Sequence, residues 1–210
     1  MPFPESAGGL GGGAVEIITV AEVLGRSLAI EPFTECLVPA AGLANAAQHT
    51  GLVDGLLSGG TLAALAITEA AGRYNLAHVE TKAREAGSWR LTGAKTAVWQ
   101  GVAADRLIVS ARLSGDVRSA DGIGLFLVEA DAAGLERGAW VAADGQLAAE
   151  VALHDVPAER LGTLGLDALQ GAVDAAWLAG SAEMVGLAAL LFEQTLAYVK
   201  TRVQFGKALG

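Results

Sequence analysis

Ser88-Trp-Arg-Leu-Thr-Gly-Ala-Lys-Thr-Ala-Val-Trp-Gln-Gly101 is the stretch on which the fold turns. Polar and apolar residues alternate from Ser88 to Thr92, Gly93 interrupts, and alternation resumes from Lys95 to Trp99. Side chains on a strand point to opposite faces in turn, so a period of two predicts extended chain rather than helix. Working outward, Ala63–Thr68, His78–Ala83, Arg106–Arg112, Ile123–Glu129 and Glu150–His154 are further short apolar or β-branched runs, separated by Gly-rich turns. Short strands at even spacing predict a central antiparallel barrel or sandwich, here over residues 62–163.

Helix-period sequence flanks this unit on both sides. From Val15 to Ile30 the apolar positions Ile17, Ile18, Val20, Ala21, Leu24 and Leu28 recur at helical spacing, with Glu16, Glu22 and Arg26 opposite. Pro32 ends that run, because it lacks an amide proton and restricts Glu31. Residues 33–60 predict one or two more helices, interrupted at Pro39 and closed by Ser58-Gly-Gly60. The Gly8–Gly13 run reads as loop; Ala14-Val15 follow where a phosphate-cradling loop would need Lys and Ser or Thr. Residues 1–61 are thus expected to be the end of an N-terminal helical domain. Beyond Leu161–Gly165, Asp167–Lys200 contains no proline and keeps Leu169, Val173, Ala176, Trp177, Gly180, Met184, Leu187, Leu191 and Leu196 at roughly helical spacing. That predicts one long helix opening a C-terminal helical domain, residues 164–210. Helices, a β unit, then a helix make the fold class α+β.

Composition excludes several roles. With 14 Lys+Arg against 23 Asp+Glu the formal charge is -9, which disfavours nucleic acid as a partner because phosphates require clustered cations. Cys36 is the only cysteine, so no internal disulfide or cysteine-rich metal site is possible, and it is expected as a small buried apolar side chain. His49, His78 and His154 lie in different elements without metal-ligand spacing, and no metal site is expected. Although 52% of residues are hydrophobic, charged residues such as Asp54, Glu69, Asp174 and Glu183 break the apolar runs, so no membrane segment is expected. The start, Met-Pro-Phe-Pro-Glu, lacks the features of a signal peptide, and a cytoplasmic protein is expected.

Several motifs in order carry a family resemblance. They are Pro4-Glu-Ser-Ala-Gly-Gly-Leu-Gly11, Ala21-Glu-Val-Leu-Gly-Arg26, Trp89-Arg-Leu-Thr-Gly-Ala-Lys95 with Gly101 and Ala104-Asp105, Val156-Pro157 with Leu161-Gly162, and Tyr198 with Arg202-x-Gln-Phe-Gly206. Together they resemble the central portion of an acyl-CoA dehydrogenase. The resemblance implies FAD held where the β domain meets a helical bundle, an acyl-CoA substrate, an external electron acceptor and an oligomer. It also implies that Arg202, Gln204 and Phe205 contact FAD across a subunit interface. A guanidinium can pair with a pyrophosphate in a bidentate manner while an aromatic ring covers a planar one.

Three departures bear on how far function carries over. Where the family has a Glu-Pro-Gly-Ala-Gly-Ser-Asp loop against flavin and acyl chain, this chain has Glu69-Ala-Ala-Gly-Arg-Tyr-Asn75. The resemblance makes Glu69, Gly72 and Asn75 substrate-binding and places Tyr74 at the cofactor. In Lys95–Gly101, Ala97 stands where the family has Trp, and Trp99 where it has a hydroxyl, so a stacking face and a hydrogen bond to the flavin are lost. No catalytic base is visible. The family's glutamate most often lies beyond the length covered here, and the minority position on the long helix aligns with Ala176 and Trp177, leaving Glu183 and Glu193 as exposed helix charges. Ile30-Glu-Pro-Phe-Thr-Glu35, the Glu69–Asn75 loop and Gly122–Val128 resemble the small subunits of two-subunit members, pimeloyl-CoA dehydrogenase among them. The expected function is therefore α,β-dehydrogenation of a carboxyacyl or otherwise bulky acyl-CoA by a partner subunit that completes a shared site. A non-catalytic subunit acting only in association is the alternative.

Overall fold

The computed structural model describes residues 3–210, which form an α+β fold. Helix α1 (Ala14–Ser27) starts where the Gly13 N–H donates to Glu16 Oε2 at 2.7 Å, and stops at Leu28, whose φ of 52° leaves the helical region. A widened helical turn, Phe33–Leu37, then runs into α2 (Val38–Ala46). Pro39 therefore begins a helix rather than interrupting one: in the first turn its missing N–H has no intrahelical partner to lose. Helix α3 (Thr50–Ser58) is capped by His49 Nδ1, which accepts the Leu52 N–H at 3.0 Å.

Seven strands follow: β1 (Ala63–Ala66), β2 (Lys82–Ala86), β3 (Ser88–Trp99), β4 (Arg106–Arg112), β5 (Ile123–Glu129), β6 (Leu135–Val141) and β7 (Leu147–Arg160). Pairing runs β4-β2-β3-β7-β5 and returns to β4, so these five strands close into a ring; β6 pairs with β7 and β1 with β4. The expected all-antiparallel unit needs correction at two ladders, because β1–β4 and the single β2–β4 residue pair are parallel. Strand β2 begins at Lys82 instead of His78, since the Glu80 and Thr81 amides are taken by the Glu69 carboxylate. Strand β6 has no counterpart in the sequence reading; it lies at an edge, is largely exposed and so lacks a sustained apolar face.

Burial explains why β4 and β5 read as unbroken apolar runs. Leu107, Val109, Ala111, Phe126 and Val128 fill the ring interior, while Ile108, Leu125 and Leu127 pack outward against α2, α3 and Leu169, Ala172 and Val173 of the long helix α4 (Leu166–Thr201). Both faces are covered, so neither shows polar alternation. A third cluster, Ala21, Phe33, Val38, Ala179 and Ala182, joins α1 to α4. These two helices touch at glycines: a Cβ on Gly25 would collide with the Glu183 backbone, and one on Gly186 with the Glu22 backbone.

Helix α4 is long and apolar enough to cross a bilayer by length and composition, which the reading of charge-broken runs did not anticipate. Its first half packs on α1 and α2, whereas Leu191, Phe192 and Leu196 further along are exposed. It ends in a small hairpin, β8 (Val203–Gln204) and β9 (Lys207–Ala208), turned by Phe205 (φ 52°) and Gly206 (φ 76°).

Candidate functional site

A cleft of about 990 Å³ opens between the ring and α4. The helical turn contributes Thr34 and Glu35, the end of β1 contributes Leu65, Ile67 and Thr68, and the following loop contributes Arg73, Tyr74 and Leu76. Ala97 and Trp99 enter from β3, and Val173, Ala176, Trp177, Gly180, Ser181 and Met184 from α4. Its size and mostly apolar wall, with a few polar groups, suit a substantial organic ligand.

The local backbone explains this convergence. Ala97 adopts a left-handed φ of 50°, and the β3–β7 register slips between Lys95 and Val98. This bulge lets Ala97 and Trp99 both reach the cleft while Val98 stays fully buried in the ring. Trp99 also packs against Trp140, with centroids 5.8 Å apart, so one side of its ring is already engaged. On the other wall, Arg112 donates to the carbonyls of Ala77, Val117, Ser119 and Asp121 at 2.8–2.9 Å, tying the loop that carries Tyr74 to the β4–β5 connection.

The residues singled out in the sequence fall into three places. Tyr74, Ala97 and Trp99 come together in the cleft, beside Ala176 and Trp177. Glu69, Gly72 and Asn75 do other work. Glu69 is buried, 2.7 Å from Lys95 Nζ, and accepts the Thr81 N–H at 3.0 Å and the Thr81 hydroxyl at 2.7 Å as well as the Glu80 N–H. Burial alone would raise its pKa, but the Lys95 charge and these hydrogen bonds outweigh that and hold it low. Burial pushes Lys95 down to about 8 against the pull of Glu69. Gly72 lies against His78, and Asn75 Oδ1 accepts the Ala77 N–H at 3.0 Å. Glu69, His78 and Glu80 approach one another closely enough to resemble a metal cluster, yet the Glu69 oxygens are occupied as described. Arg202, Gln204 and Phe205 form the third group, exposed on the β8–β9 hairpin. At about 1.5 Å rise per residue, roughly 38 Å of helix separates Ala176 from Thr201.

Sequence reasoning missed Thr34 and Glu35 as cleft residues, whereas Arg73 lies in the Glu69–Asn75 loop already expected to border the ligand. A carboxylate between the buried Phe33 and Cys36 was the available signal. Burial raises the Glu35 carboxyl to about 7; a hydrogen bond from its own backbone opposes this, Glu183 adds to it, Gln100 opposes it by hydrogen bonding, and Asp144 adds a little more. Glu183 is not merely an exposed helix charge, since it accepts the Thr34 hydroxyl at 3.2 Å; Glu193 pairs with Arg26 across the α1–α4 contact. Cys36 is buried, and its thiol is pushed up by that burial.

A closed strand ring flanked by helices, with an apolar cleft between ring and long helix, defines a helix–barrel–helix protein. Residues 64–156 match the acyl-CoA dehydrogenase middle domain, and the chain belongs to the acyl-CoA dehydrogenase family, corresponding to the central portion of its members. Among solved structures it is similar to the steroid ACAD Tcur3481-Tcur3483, at 34% identity and TM-score 0.84 over 100% of this chain and 56% of that one. It is also similar to PigA, solved with FAD and proline, at 26% identity and TM-score 0.88 over 100% and 59%. The ChsE4-ChsE5 complex from Mycobacterium tuberculosis matches at 27% identity and TM-score 0.84 over 99% and 56%. The chain spans 40–59% of the length of the curated relatives it matches.

The residues present fit part of a flavin nucleotide. The hairpin offers an Arg202 guanidinium with no side-chain partner among the described residues, the Gln204 amide and a fully exposed Phe205 ring. The cleft offers Trp99, the hydroxyls of Thr68 and Ser181 and the single guanidinium of Arg73. It can accept a ring system, but it has little cationic charge for a pyrophosphate.

Proposed function

We propose that this chain is a partner subunit of an FAD-dependent acyl-CoA dehydrogenase, contributing to two shared sites. Its cleft would take the acyl chain beside a flavin ring, and its Arg202–Phe205 hairpin would clasp the FAD of another subunit. The carrying observation is the helix length separating the two groups: roughly 38 Å keeps Ala176 and the hairpin from closing on one ligand in one chain. The PigA structure with FAD and the two-component ChsE4-ChsE5 complex support the cofactor and the assembly. The steroid ACAD, together with a cleft of about 990 Å³, supports a bulky acyl-CoA. The chemistry a bound flavin would supply is acceptance of a hydride equivalent from Cβ of the thioester, with the electrons going on to an external acceptor. The chain's own residues bind and orient: Tyr74, Ala97, Trp99 and Trp177 shape the apolar channel, while Arg202 and Gln204 hold charge and amide edge across the interface. We assign the base that removes the Cα proton to another part of the assembly, and place the complex in the cytoplasm. The exposed apolar residues Leu191, Phe192 and Leu196 favour a second reading, in which association is the chain's whole role.

One substitution separates these readings. In the complex formed by co-expression with a larger homologue, Arg202→Ala should weaken flavin retention by about 1.5–3 kcal/mol, the worth of a hydrogen bond to a charged group. Unchanged flavin content after dialysis would favour the purely structural reading. Stoichiometric flavin on the isolated chain would refute the shared-site reading.

A further inference from the structure

The positive charge of the cleft is concentrated in one residue. Arg73 is the only cation among its lining side chains. It is exposed and makes no hydrogen bond or ion pair with any described residue. Glu69, on the same loop, is already committed to Lys95 and to the Glu80 and Thr81 amides. The loop that presents Arg73 is fixed by successive turns. The Gly72 N–H donates to the Glu69 carbonyl at 2.9 Å, the Asn75 N–H to the Gly72 carbonyl at 3.0 Å and the His78 N–H to the Asn75 carbonyl at 3.0 Å, while Arg112 holds the Ala77 carbonyl. Arg73 itself takes a left-handed φ of 51°. A β-carbon disfavours that conformation and glycine adopts it freely, so the turn does not call for an arginine. Its neighbour Tyr74 is 92% exposed, which puts this part of the loop at the cleft rim. The rest of the wall, Leu65, Ile67, Leu76 and Val173 among it, is mostly apolar.

We propose that Arg73 is a phosphate-binding residue, its guanidinium pairing at the cleft rim with a phosphate ester of the ligand whose apolar part fills the cleft. The proposal rests on the acyl-CoA reading above and adds the residue that holds the ligand's charged end. An apolar wall with one cation at its rim matches a ligand with an apolar body and an anionic end. The planar fork offers parallel N–H donors to two phosphate oxygens, and an unpartnered guanidinium gives up no protein contact to make those bonds. A carboxylate at the far end of an acyl chain would instead be buried among apolar side chains, where an unpaired charge is costly. The pantetheine arm of the thioester and the flavin nucleotide both carry phosphate, and either presents the same chemistry to Arg73.

The test is a pair of binding series on the full chain. One runs from S-acylpantetheine through S-acylphosphopantetheine to acyl-CoA with a single acyl group, the other from riboflavin through FMN to FAD. Each ligand is titrated by calorimetry into wild type, Arg73→Lys and Arg73→Gln. Neither substitution removes a hydrogen bond of the fold, so both variants should unfold in urea as wild type does. In at least one series the phosphorylated members should bind wild type roughly tenfold tighter than their phosphate-free parent, the worth of a hydrogen bond to a charged group. Arg73→Gln should bring that ratio close to one with the parent's affinity unchanged. Arg73→Lys, which keeps the charge and loses the fork, should keep part of it. The series that responds identifies the source of the phosphate. Equal affinity of wild type for phosphorylated and phosphate-free members in both series overturns the proposal, and thioester binding without that preference leaves the acyl-CoA reading standing. A preference that survives in Arg73→Gln also overturns the proposal. Wild type binding no thioester overturns the acyl-CoA reading, and wild type binding no member of either series overturns both.

Discussion

Gly186→Ala should destabilise the protein even though alanine is the better helix former. Gly186 lies inside α4, where it meets α1, and the added methyl would collide with the Glu22 carbonyl oxygen, 2.9 Å from its carbon and 3.0 Å from the Arg26 nitrogen. All three atoms are α1 backbone, so no side chain can swing aside, and the helices must separate. Forced overpacking of this kind costs typically 1–3 kcal/mol. Because Gly25 makes the reciprocal contact with the Glu183 backbone, the upper part of that range, about 3 kcal/mol, applies. The helix gains about 1 kcal/mol from Ala in place of Gly, leaving a net loss of about 2 kcal/mol. Gly171→Ala is the control, since it lies on the same helix with nothing within 4 Å of the added methyl, and it should stabilise by about 0.8–1 kcal/mol. Urea denaturation followed by circular dichroism, with m unchanged, measures both. The two variants should differ by about 3 kcal/mol, the difference between a gain of about 1 and a loss of about 2. Equal stability within about 0.5 kcal/mol would refute the close helix contact.

Two further perturbations probe the cleft and its support. Lys95→Met leaves Glu69 buried without its cation and should cost about 3 kcal/mol, the low end for a broken buried pair, because three hydrogen bonds to Glu69 survive; a loss under about 1 kcal/mol in urea denaturation would contradict the structural role given to this pair. Glu35 keeps its proton in the fold to about pH 7, whereas the unfolded chain loses it near 4.5. The folded state therefore binds more protons between those values, and stability falls as pH rises through that window. After discounting for partial exposure, the effect is about 1–2 kcal/mol. Comparing wild type with Glu35→Gln at pH 5 and pH 8 should show the variant gaining that amount relative to wild type at the higher pH. A difference independent of pH would show that Glu35 is not held protonated.

Element type was legible in the sequence wherever one physical cause dominated. Alternation announced β3, and apolar runs marked β4 and β5 to their observed ends, because burial on both faces leaves few polar positions inside either strand, Ser110 being the one between the ends of β4. The long helix was readable from spacing and the absence of proline. Legibility failed where a distant partner decided the outcome. His78–Thr81 looked like strand but serves Glu69, β6 depends on β7 for its hydrogen bonds, and Pro39 could be placed in a first turn only once the preceding turn was known.

The candidate site divides in the same way. Tyr74, Ala97 and Trp99 could be picked out by their departures from a family pattern, and the structure gathers them in one cleft. Glu69 could be picked out equally well, yet it faces Lys95 inside the protein. The sequence by itself determined the order of helix, strand and helix and the chemical groups available, since those follow from local periodicity and side-chain type. Only the tertiary structure decided which groups meet. The slip of one strand at Ala97, the contact of two helices at Gly25 and Gly186, and the burial of one Glu35 oxygen each depend on atoms far apart in the chain.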